Sequence, residues 1–237
     1  MRKKIIVFII LLTSSLPLLL QAQPAAKKSA SPNIEIKNGK ADGLDVPTYN
    51  GLSLGVDLFG IGNKLFGGDY ISSELSLNAN FKNRYFPVIE IGYGHIDMTD
   101  DNYNIHYKSA APFARIGFDY NTMSKKMEIG YLTVGLRYGF TAFNYDVSAP
   151  DLKDPIWQET LPYEHTGIHS TAHWLEAVAA INVKIAGPFH MGWSFRYKAR
   201  FSAKKDRYAT PEYLPGFGKN KSGIFGFTYN LIYKLPF

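Results

Sequence analysis

Between residues 51 and 237, apolar or aromatic residues recur at every second position in eight separate segments. The last segment shows the pattern most fully, with Phe225, Phe227, Tyr229, Leu231, Tyr233, Leu235 and Phe237. Successive side chains of a β-strand point to opposite faces of the sheet, so a spacing of two places these residues on one face. Such a chain folds either as a soluble sandwich with this face inward or as a membrane barrel with it outward.

Two properties favour the barrel. Several segments extend over about ten residues, the length of a tilted membrane strand, whereas soluble strands are nearer five or six. The opposite face carries glycines between charges of both signs, namely Gly55, Gly92, Gly94, Gly117, Gly135, Gly139, Gly192 and Gly226. Glycine weakens a solvent-facing strand but leaves room for a long side chain in a narrow lumen. The sequence predicts an all-β fold, an eight-stranded antiparallel up-and-down transmembrane β-barrel.

The lengths of the connections between the predicted strands support this topology. If the barrel starts in the periplasm, every second connection is a short periplasmic turn and the others are long extracellular loops. The short connections fall at residues 83–84, 121–126 and 186–189. The long connections fall at residues 60–71, 98–111, 144–172 and 203–222. We therefore expect short and long connections to alternate around the whole barrel.

The first 22 residues have the pattern of a secretory signal peptide. Met1-Arg2-Lys3-Lys4 is followed by an interrupted apolar run over residues 5–20 and then by Gln21-Ala22-Gln23. We expect cleavage after Ala22, a flexible periplasmic leader over residues 23–48, which contain no aromatic residue, and a barrel over residues 49–237. The predicted location is the outer membrane of a Gram-negative cell.

Charge and cysteine content exclude several classes of function. The formal charge of +6 falls to +3 without the signal peptide, because residues 1–22 contain three bases, Arg2, Lys3 and Lys4, and no acid. With no clustered basic stripe or binding motif, no nucleic-acid partner is expected. The absence of cysteine excludes disulfides and a lipid-anchored lipoprotein.

The face opposite the apolar residues places charges inside a bore just wide enough for side chains. The acids predicted to point inward are Asp57, Glu74, Glu90, Asp119 and Glu176. The bases are Lys82, Arg115, Arg137, Lys184, Arg196, Lys198, Arg200 and Lys234. Because buried charges must pair or stay hydrated, we expect a charge network that contains Glu90, Arg115, Asp119, Arg137, Glu176 and Arg196. The alternative is a narrow cationic path for small anions.

Residues 164–173 contain two weaker patterns. His165, His169 and His173 are spaced by four, which on a helix would align them as metal ligands. They fall in a predicted loop and at the start of the sixth strand, where exposed loop histidines are the simpler interpretation. Glu164, His169 and Ser170 have the residue types of a hydrolase triad, but a triad is defined by geometry. We therefore predict no metal, no other cofactor and no catalytic residue.

The chain resembles the small outer-membrane barrels of Bacteroidota. The resemblance rests on strands rich in Tyr, Phe, Asn and Lys, on Gln21-Ala22-Gln23, and on the aromatic terminal strand. It implies a fold and a location but no reaction. A terminal strand of this kind resembles the signal read by the barrel-assembly machinery, here Tyr233, Leu235 and Phe237. Further expected partners are outer-membrane lipid, envelope proteins and lipopolysaccharide, whose phosphates would meet the basic stretch from Lys204 to Lys221.

Three functions remain open. The first is a non-enzymatic structural or partner-docking role in the cell envelope, within a larger membrane complex. The second is a narrow porin-like channel for small anions. The third is a lipid-modifying enzyme, since some eight-stranded outer-membrane barrels modify lipid A. A lumen filled by salt bridges favours the first.

Overall fold

Ten β-strands make up most of the described chain, which comprises residues 47–60, 70–100, 104–123, 129–149, 163–204 and 209–236 of the computed structural model. They are β1 (Tyr49–Asp57), β2 (Tyr70–Phe81), β3 (Tyr85–Asp100), β4 (Ile105–Asn121), β5 (Gly130–Ala149), β6 (Tyr163–Ala186), β7 (Phe189–Ala203), β8 (Tyr213–Leu214), β9 (Gly218–Lys219) and β10 (Gly223–Lys234). The predicted signal peptide and residues 23–46 of the predicted leader lie outside the described residues. No helix in the described ranges is long and apolar enough to cross a membrane.

Eight of the strands close into a barrel in the order β1-β10-β7-β6-β5-β4-β3-β2, and every neighbouring pair is antiparallel. The predicted eight-stranded up-and-down barrel is therefore confirmed. We call the end where β1 begins the turn end; it also carries the connections at residues 82–84, 122–129 and 187–188. The opposite end is the loop end, with connections at residues 58–69, 101–104, 150–162 and 204–222.

In the half of the barrel nearer the turn end, the strands point apolar side chains outward, as predicted, and mainly polar ones inward. The inward apolar side chains of this half include Phe86, Val88, Tyr131, Val178 and Ile232. Leu136 and Ile116 are 66% and 60% exposed on the outside, while Glu74 and Thr133 are buried inside. The outward apolar side chains form what we call the apolar band. It covers residues 85–93 of β3, 112–120 of β4, 132–142 of β5 and 175–185 of β6.

Nearer the loop end, the polarity of the two faces is inverted. The outer face, which we call the loop-end outer face, carries His95, Asp97, Thr99, His106, Lys108, Asn144, Asp146, His169 and Thr171. The inner face carries a buried apolar core of Ile96, Tyr107, Ala111, Phe113, Phe143, Tyr145, Ala172, Trp174, Leu214 and Phe217. Strands β3 to β6 continue without a break through this inversion of polarity. Near the loop end they therefore resemble strands of a soluble protein, with an apolar inner face and a polar outer face.

This continuation corrects the predicted loops. β3 runs to Asp100 and β4 begins at Ile105, so the predicted loop over residues 98–111 shortens to the connection over residues 101–104. In the same way, the predicted loop over residues 144–172 shrinks to residues 150–162. The expected alternation of short and long connections therefore fails at the second outer connection. The strands continue because their inner face packs against the apolar core.

Part of the connection between β7 and β10 folds inward instead of projecting into solvent. Strands β8 and β9 pair as a separate hairpin, and Pro211, Leu214, Pro215 and Phe217 are fully buried. Leu214 and Phe217 belong to the apolar core. The hydroxyl of Tyr107 donates a hydrogen bond to the Tyr213 carbonyl at 2.8 Å. The hairpin therefore plugs the loop end, and the prediction of an outward loop is wrong for this stretch.

Candidate functional site

Seven buried charged side chains meet across the bore, and we call them the lumen charge network. The carboxylates are Glu74 on β2, Glu90 on β3, Asp119 on β4 and Glu176 on β6; the guanidinium groups are Arg115 on β4, Arg137 on β5 and Arg196 on β7. Strand register brings them together, because Glu90 pairs with Arg115 across β3 and β4, and Arg137 pairs with Glu176 across β5 and β6. All six residues predicted for the network belong to it, and Glu74 joins them.

Glu90 is the centre of the network. Its Oε2 lies 3.0 Å from Arg115 Nη1 and 2.7 Å from Arg196 Nη1. Its Oε1 lies 3.1 Å from Arg137 Nε. Since Glu90 is only 2% exposed, water does not screen these contacts. One carboxylate therefore holds three guanidinium groups from three different strands.

The other contacts extend the network to the remaining acids. Arg115 Nη1 lies 2.5 Å from Glu74 Oε2, and Arg196 Nη2 lies 3.0 Å from Glu74 Oε1. Arg196 Nη1 lies 3.3 Å from Glu176 Oε2. The Nε of Arg115 is 2.8 Å from Glu176 Oε1, close enough for an ion pair although its N–H makes no aligned hydrogen bond. Towards the turn end, Arg137 donates two hydrogen bonds to Asp119, at 2.8 and 2.7 Å.

Lys198 and the inward hairpin complete the site. Lys198 lies near enough to Glu176 to attract it, so four acids face four bases and the formal charges cancel. Lys198 Nζ donates to the Gly216 carbonyl at 2.7 Å, and Arg115 Nη2 donates to the same oxygen at 2.8 Å. Burial raises the pKa of the neighbouring Tyr213 hydroxyl, which keeps that group neutral. The network is thus bonded directly to the backbone of the plug.

The glycines of the inner face make room for other side chains, as expected. Most of these side chains belong to the neighbouring strand, whereas Gly94 lies against Pro215 of the hairpin. A Cβ on Gly139 would overlap the ring of Trp174, its register partner on β6. A Cβ on Gly92 would overlap Phe113, its partner on β4. The inner surface of the barrel is therefore closely packed where a glycine on one strand lies opposite a large side chain on the next.

The lumen charge network lies between a small cavity on its turn-end side and the apolar core on its loop-end side. On the turn-end side of the network lies a cavity of about 60 Å³, lined among others by Ser53, Asn78, Thr133 and Asn182, with room for a few water molecules. On the loop-end side, Trp174 is fully buried and donates through Nε1 to Glu176 Oε1 at 2.6 Å. The charge network and the apolar core together occupy the space between the cavity and the loop end.

Several residues of this site were not predicted from the sequence to act together. Trp174 and Lys198 both lie at inward positions of the alternation, two residues from Glu176 and Arg196 respectively. Their inward position in the period-two alternation was the sequence feature that could have predicted their place in this site. The Gly216 carbonyl gave no signal, because its loop was expected to face solvent. Lys82, predicted to point inward, is exposed in the turn over residues 82–84.

The three histidines lie on strand β6 and not on a loop or helix. At about 3.3 Å per residue, a spacing of four on a strand separates neighbouring histidines by about 13 Å, too far for one metal ion. His173 Nδ1 bonds the Tyr138 hydroxyl at 2.7 Å, and His169 Nδ1 bonds Asn144 Oδ1 at 3.0 Å. In the described ranges no group of three metal-ligating side chains comes together.

The residues of the candidate triad are not assembled. His169 is exposed on the outer face of β6, while Ser170 points inward and is buried. The Ser170 hydroxyl donates to the Lys204 carbonyl at 2.7 Å. Since His169 and Ser170 lie on opposite faces of the strand, His169 cannot act as a base for Ser170, and this triad is excluded.

The terminal strand closes the barrel against β1. Tyr233 lies on β10 with its ring centre 5.2 Å from that of Phe189, and the Leu235 amide donates to the Leu52 carbonyl at 2.9 Å. Phe237 lies outside the described residues. The assembly signal of Tyr233, Leu235 and Phe237 stays a prediction.

Comparisons with known proteins give a family and two similar structures. The model of DUF6048, described as a domain of unknown function, matches residues 2–237. No curated protein matches the chain. The attachment invasion locus protein Ail of Yersinia pestis, solved with the heparin analogue sucrose octasulfate, is 10% identical, with a TM-score of 0.37 over 77% of this chain and 95% of Ail. A major outer membrane protein of Thermus thermophilus is 11% identical, with a TM-score of 0.41 over 78% of this chain and 97% of that protein.

Proposed function

Since the chain belongs to DUF6048, a family of unknown function, we propose its role from its own side chains. The protein is a non-enzymatic outer-membrane β-barrel with an occluded lumen and a structural or partner-docking role in the cell envelope. The observation that carries this proposal is the filled bore, in which the lumen charge network is bonded to the inward hairpin. Membrane location, occlusion and docking are supported by different parts of the barrel.

The apolar band supports the membrane location. Large apolar side chains of the band are well exposed, including Leu136, Ile116 and Ile91. A soluble monomer rarely exposes a continuous apolar surface of this extent. The band covers residues 85–93 of β3, which matches the nine to eleven residues with which a tilted strand spans about 30 Å. The inversion of polarity at the edge of the band supports a membrane boundary there, and the short connections at the turn end support a periplasmic turn end and an extracellular loop end.

The contacts inside the bore support a non-conducting barrel. An ion would have to separate Glu90 from its three guanidinium partners and then displace Leu214 and Phe217 from the apolar core. Breaking one buried ion pair costs about 3–5 kcal/mol, and removing a buried leucine side chain from its packing costs a similar amount. Both costs together make spontaneous opening rare.

The loop-end outer face supports docking. Strands β3 to β6 project beyond the apolar band and present both signs of charge, with Asp97 between Lys108 and His106 at 3.6 and 3.5 Å. An envelope protein with complementary charges is the partner that this surface fits. Lipopolysaccharide is the expected lipid neighbour, and Lys204, Lys219 and Lys221 are the bases available to its phosphates at this end.

Planar-bilayer recording tests the occlusion. We expect no conductance steps from the purified chain, nor from a variant in which residues 209–219 alone are replaced by a short Gly-Ser linker, because the lumen charge network still closes the bore. Regular steps from the unmodified chain would support the anion channel instead.

Mass spectra of lipid A are expected to be unchanged on deletion and overexpression of the gene, and a changed spectrum would support the enzyme.

Co-purification from membranes in mild detergent tests the docking role. We expect a reproducible envelope partner whose recovery falls when Asp97 and Asp146 are both replaced by lysine. Lys82→Glu is the matched control, because it reverses a charge at the opposite end of the barrel. Docking is refuted by the absence of a reproducible partner, or by equal losses in the two variants.

A further inference from the structure

A second cavity, of about 670 Å³, lies at the turn end of the barrel, and we call it the vestibule. Three of its lining residues are basic: Lys184 near the end of β6, His190 near the start of β7, and Lys234 at the end of β10. All three lie at inward positions of their strands. The vestibule therefore lies on the turn-end side of the 60 Å³ cavity, because Lys184 and Lys234 follow two of that cavity's lining residues, Asn182 and Ile232, by two positions on the same strands.

These bases have no matching acids among the described residues. No acidic side chain is among the lining residues, and neither Lys184 nor Lys234 has a carboxylate within ion-pair distance in the described ranges. The Nζ of Lys234 lies 5.4 Å from the centre of the Tyr131 ring. Lys184 is near enough to repel Lys234, and both repel a protonated His190. In the lumen charge network, by contrast, every guanidinium group has a carboxylate.

The orientation of His190 leaves one ring nitrogen for a ligand. Its Nδ1 lies 3.2 Å from the Pro188 carbonyl. Because a carbonyl oxygen only accepts, Nδ1 must carry the hydrogen. The Nε2 is then the second nitrogen, which becomes a donor when the ring is protonated, and a nearby anion favours that form.

We propose that the vestibule binds a phosphate group that enters from the periplasm. Lys184 and Lys234 bind its oxygens as point charges, and His190 donates from Nε2. Lysine binds phosphate oxygens as a point charge, and two ammonium groups together match a phosphate group that carries about two negative charges at neutral pH. Pro47, Pro188 and Pro236 line the cavity and limit the freedom of its backbone. Because the charge network closes the bore above, the ligand leaves by the way it entered.

Calorimetric titration of the full chain in detergent micelles with inorganic phosphate tests the proposal. We expect saturable binding at one site, weakened about tenfold or more by Lys184→Gln and by Lys234→Gln, since each change removes one charge-assisted hydrogen bond. Lys82→Gln is the matched control, because it removes an exposed lysine at the same end outside the vestibule, and it is expected to bind like the unmodified chain. Lys234→Arg keeps the charge and retains binding.

A second experiment distinguishes the phosphate of a lipid headgroup from that of a soluble ligand. In nanodiscs, retention of phosphatidylglycerol against phosphatidylcholine is compared between the unmodified chain and the Lys184→Gln/Lys234→Gln variant. Retention that depends on the two lysines identifies a lipid headgroup of the periplasmic leaflet; phosphate binding without such retention identifies a soluble ligand. Faster migration in unheated SDS gels shows that each variant is folded. The proposal is overturned if neither ligand binds the unmodified chain, or if folded Lys184→Gln and Lys234→Gln bind like Lys82→Gln.

Discussion

Replacing Glu90 with glutamine removes one charge from the centre of the lumen charge network while keeping the shape of the side chain. Glu90 lies within 3.1 Å of Arg115, Arg137 and Arg196, and all four residues are at most 4% exposed. After the change, three acids face four bases, and one positive charge stays uncompensated in the bore. We expect a large loss in the free energy of unfolding.

The magnitude follows from the cost of a broken buried ion pair, which is about 3–5 kcal/mol. Glutamine still accepts hydrogen bonds through its amide oxygen, so the lower end of this range applies. At about 1.4 kcal/mol per factor of ten, the folding equilibrium constant falls by roughly two powers of ten or more. Typical total stabilities are about 5–15 kcal/mol, so the loss is readily measured.

The assay is urea unfolding of the chain refolded into lipid vesicles, followed by tryptophan fluorescence. Trp174 reports directly on the site, because it donates to Glu176. The matched control is Asp97→Asn, which breaks the half-exposed pair with Lys108 and should cost at most about 1 kcal/mol.

A charge-compensated variant separates charge from packing. Glu90→Gln combined with Arg196→Gln restores neutrality, so its loss should be smaller than the sum of the two single losses. If Glu90→Gln costs no more than Asp97→Asn, the ion pairs do not stabilise the barrel and the reasoning is refuted.

Three further changes test the plug and the packing of the wall. Leu214→Ala should lower the free energy of unfolding by about 2–5 kcal/mol in the same urea assay, because Leu214 is fully buried in the apolar core; a loss below about 1 kcal/mol, on the scale of a surface change, would show that the hairpin is not packed inside. Gly139→Ala should cost about 1–3 kcal/mol in that assay, because its Cβ would overlap Trp174, and Gly139→Ala in a Trp174→Ala background should cost less; equal costs would contradict this contact. Tyr107→Phe should lose about 0.5–1.5 kcal/mol with its hydrogen bond to the Tyr213 carbonyl, and hydrogen exchange at the hairpin should rise; unchanged exchange would show that this bond does not hold the plug.

The barrel was predictable because period-two alternation fixes both the strand and the face that each residue occupies. It placed Glu90, Arg115 and Arg137 inside correctly, since each lies between two outward apolar residues. The alternation predicts only roughly, however, which residues of neighbouring strands lie opposite each other. The contact between Arg196 and Glu74, which are 122 residues apart, depends on closure of the barrel and has no local signal.

The loop end was not predictable by the same argument. The alternation persists from Tyr93 to Asp97 but changes sign, so an inward Ile96 follows an outward Tyr93 by three positions. An argument that looks for apolar residues on one fixed face therefore ends the strand too early. The hairpin was missed for a related reason: Leu214 and Phe217 are separated by Pro215 and Gly216, a pattern typical of a solvent-facing turn.

The pairing of β1 with β10 has a mechanical consequence for the barrel. It extends over residues 53–57 and 230–234, whereas β5 and β6 pair over residues 130–149 and 163–183. Arg196 and Glu74 lie on the strands that flank this short seam, and their ion pair bridges it from inside at 3.0 Å. A force that parts β1 from β10 must therefore also pull these two ions apart in a bore with little water. The ion pair therefore opposes lateral opening of the barrel between β1 and β10. We expect these two strands to separate only after the ion pair between Arg196 and Glu74 has broken.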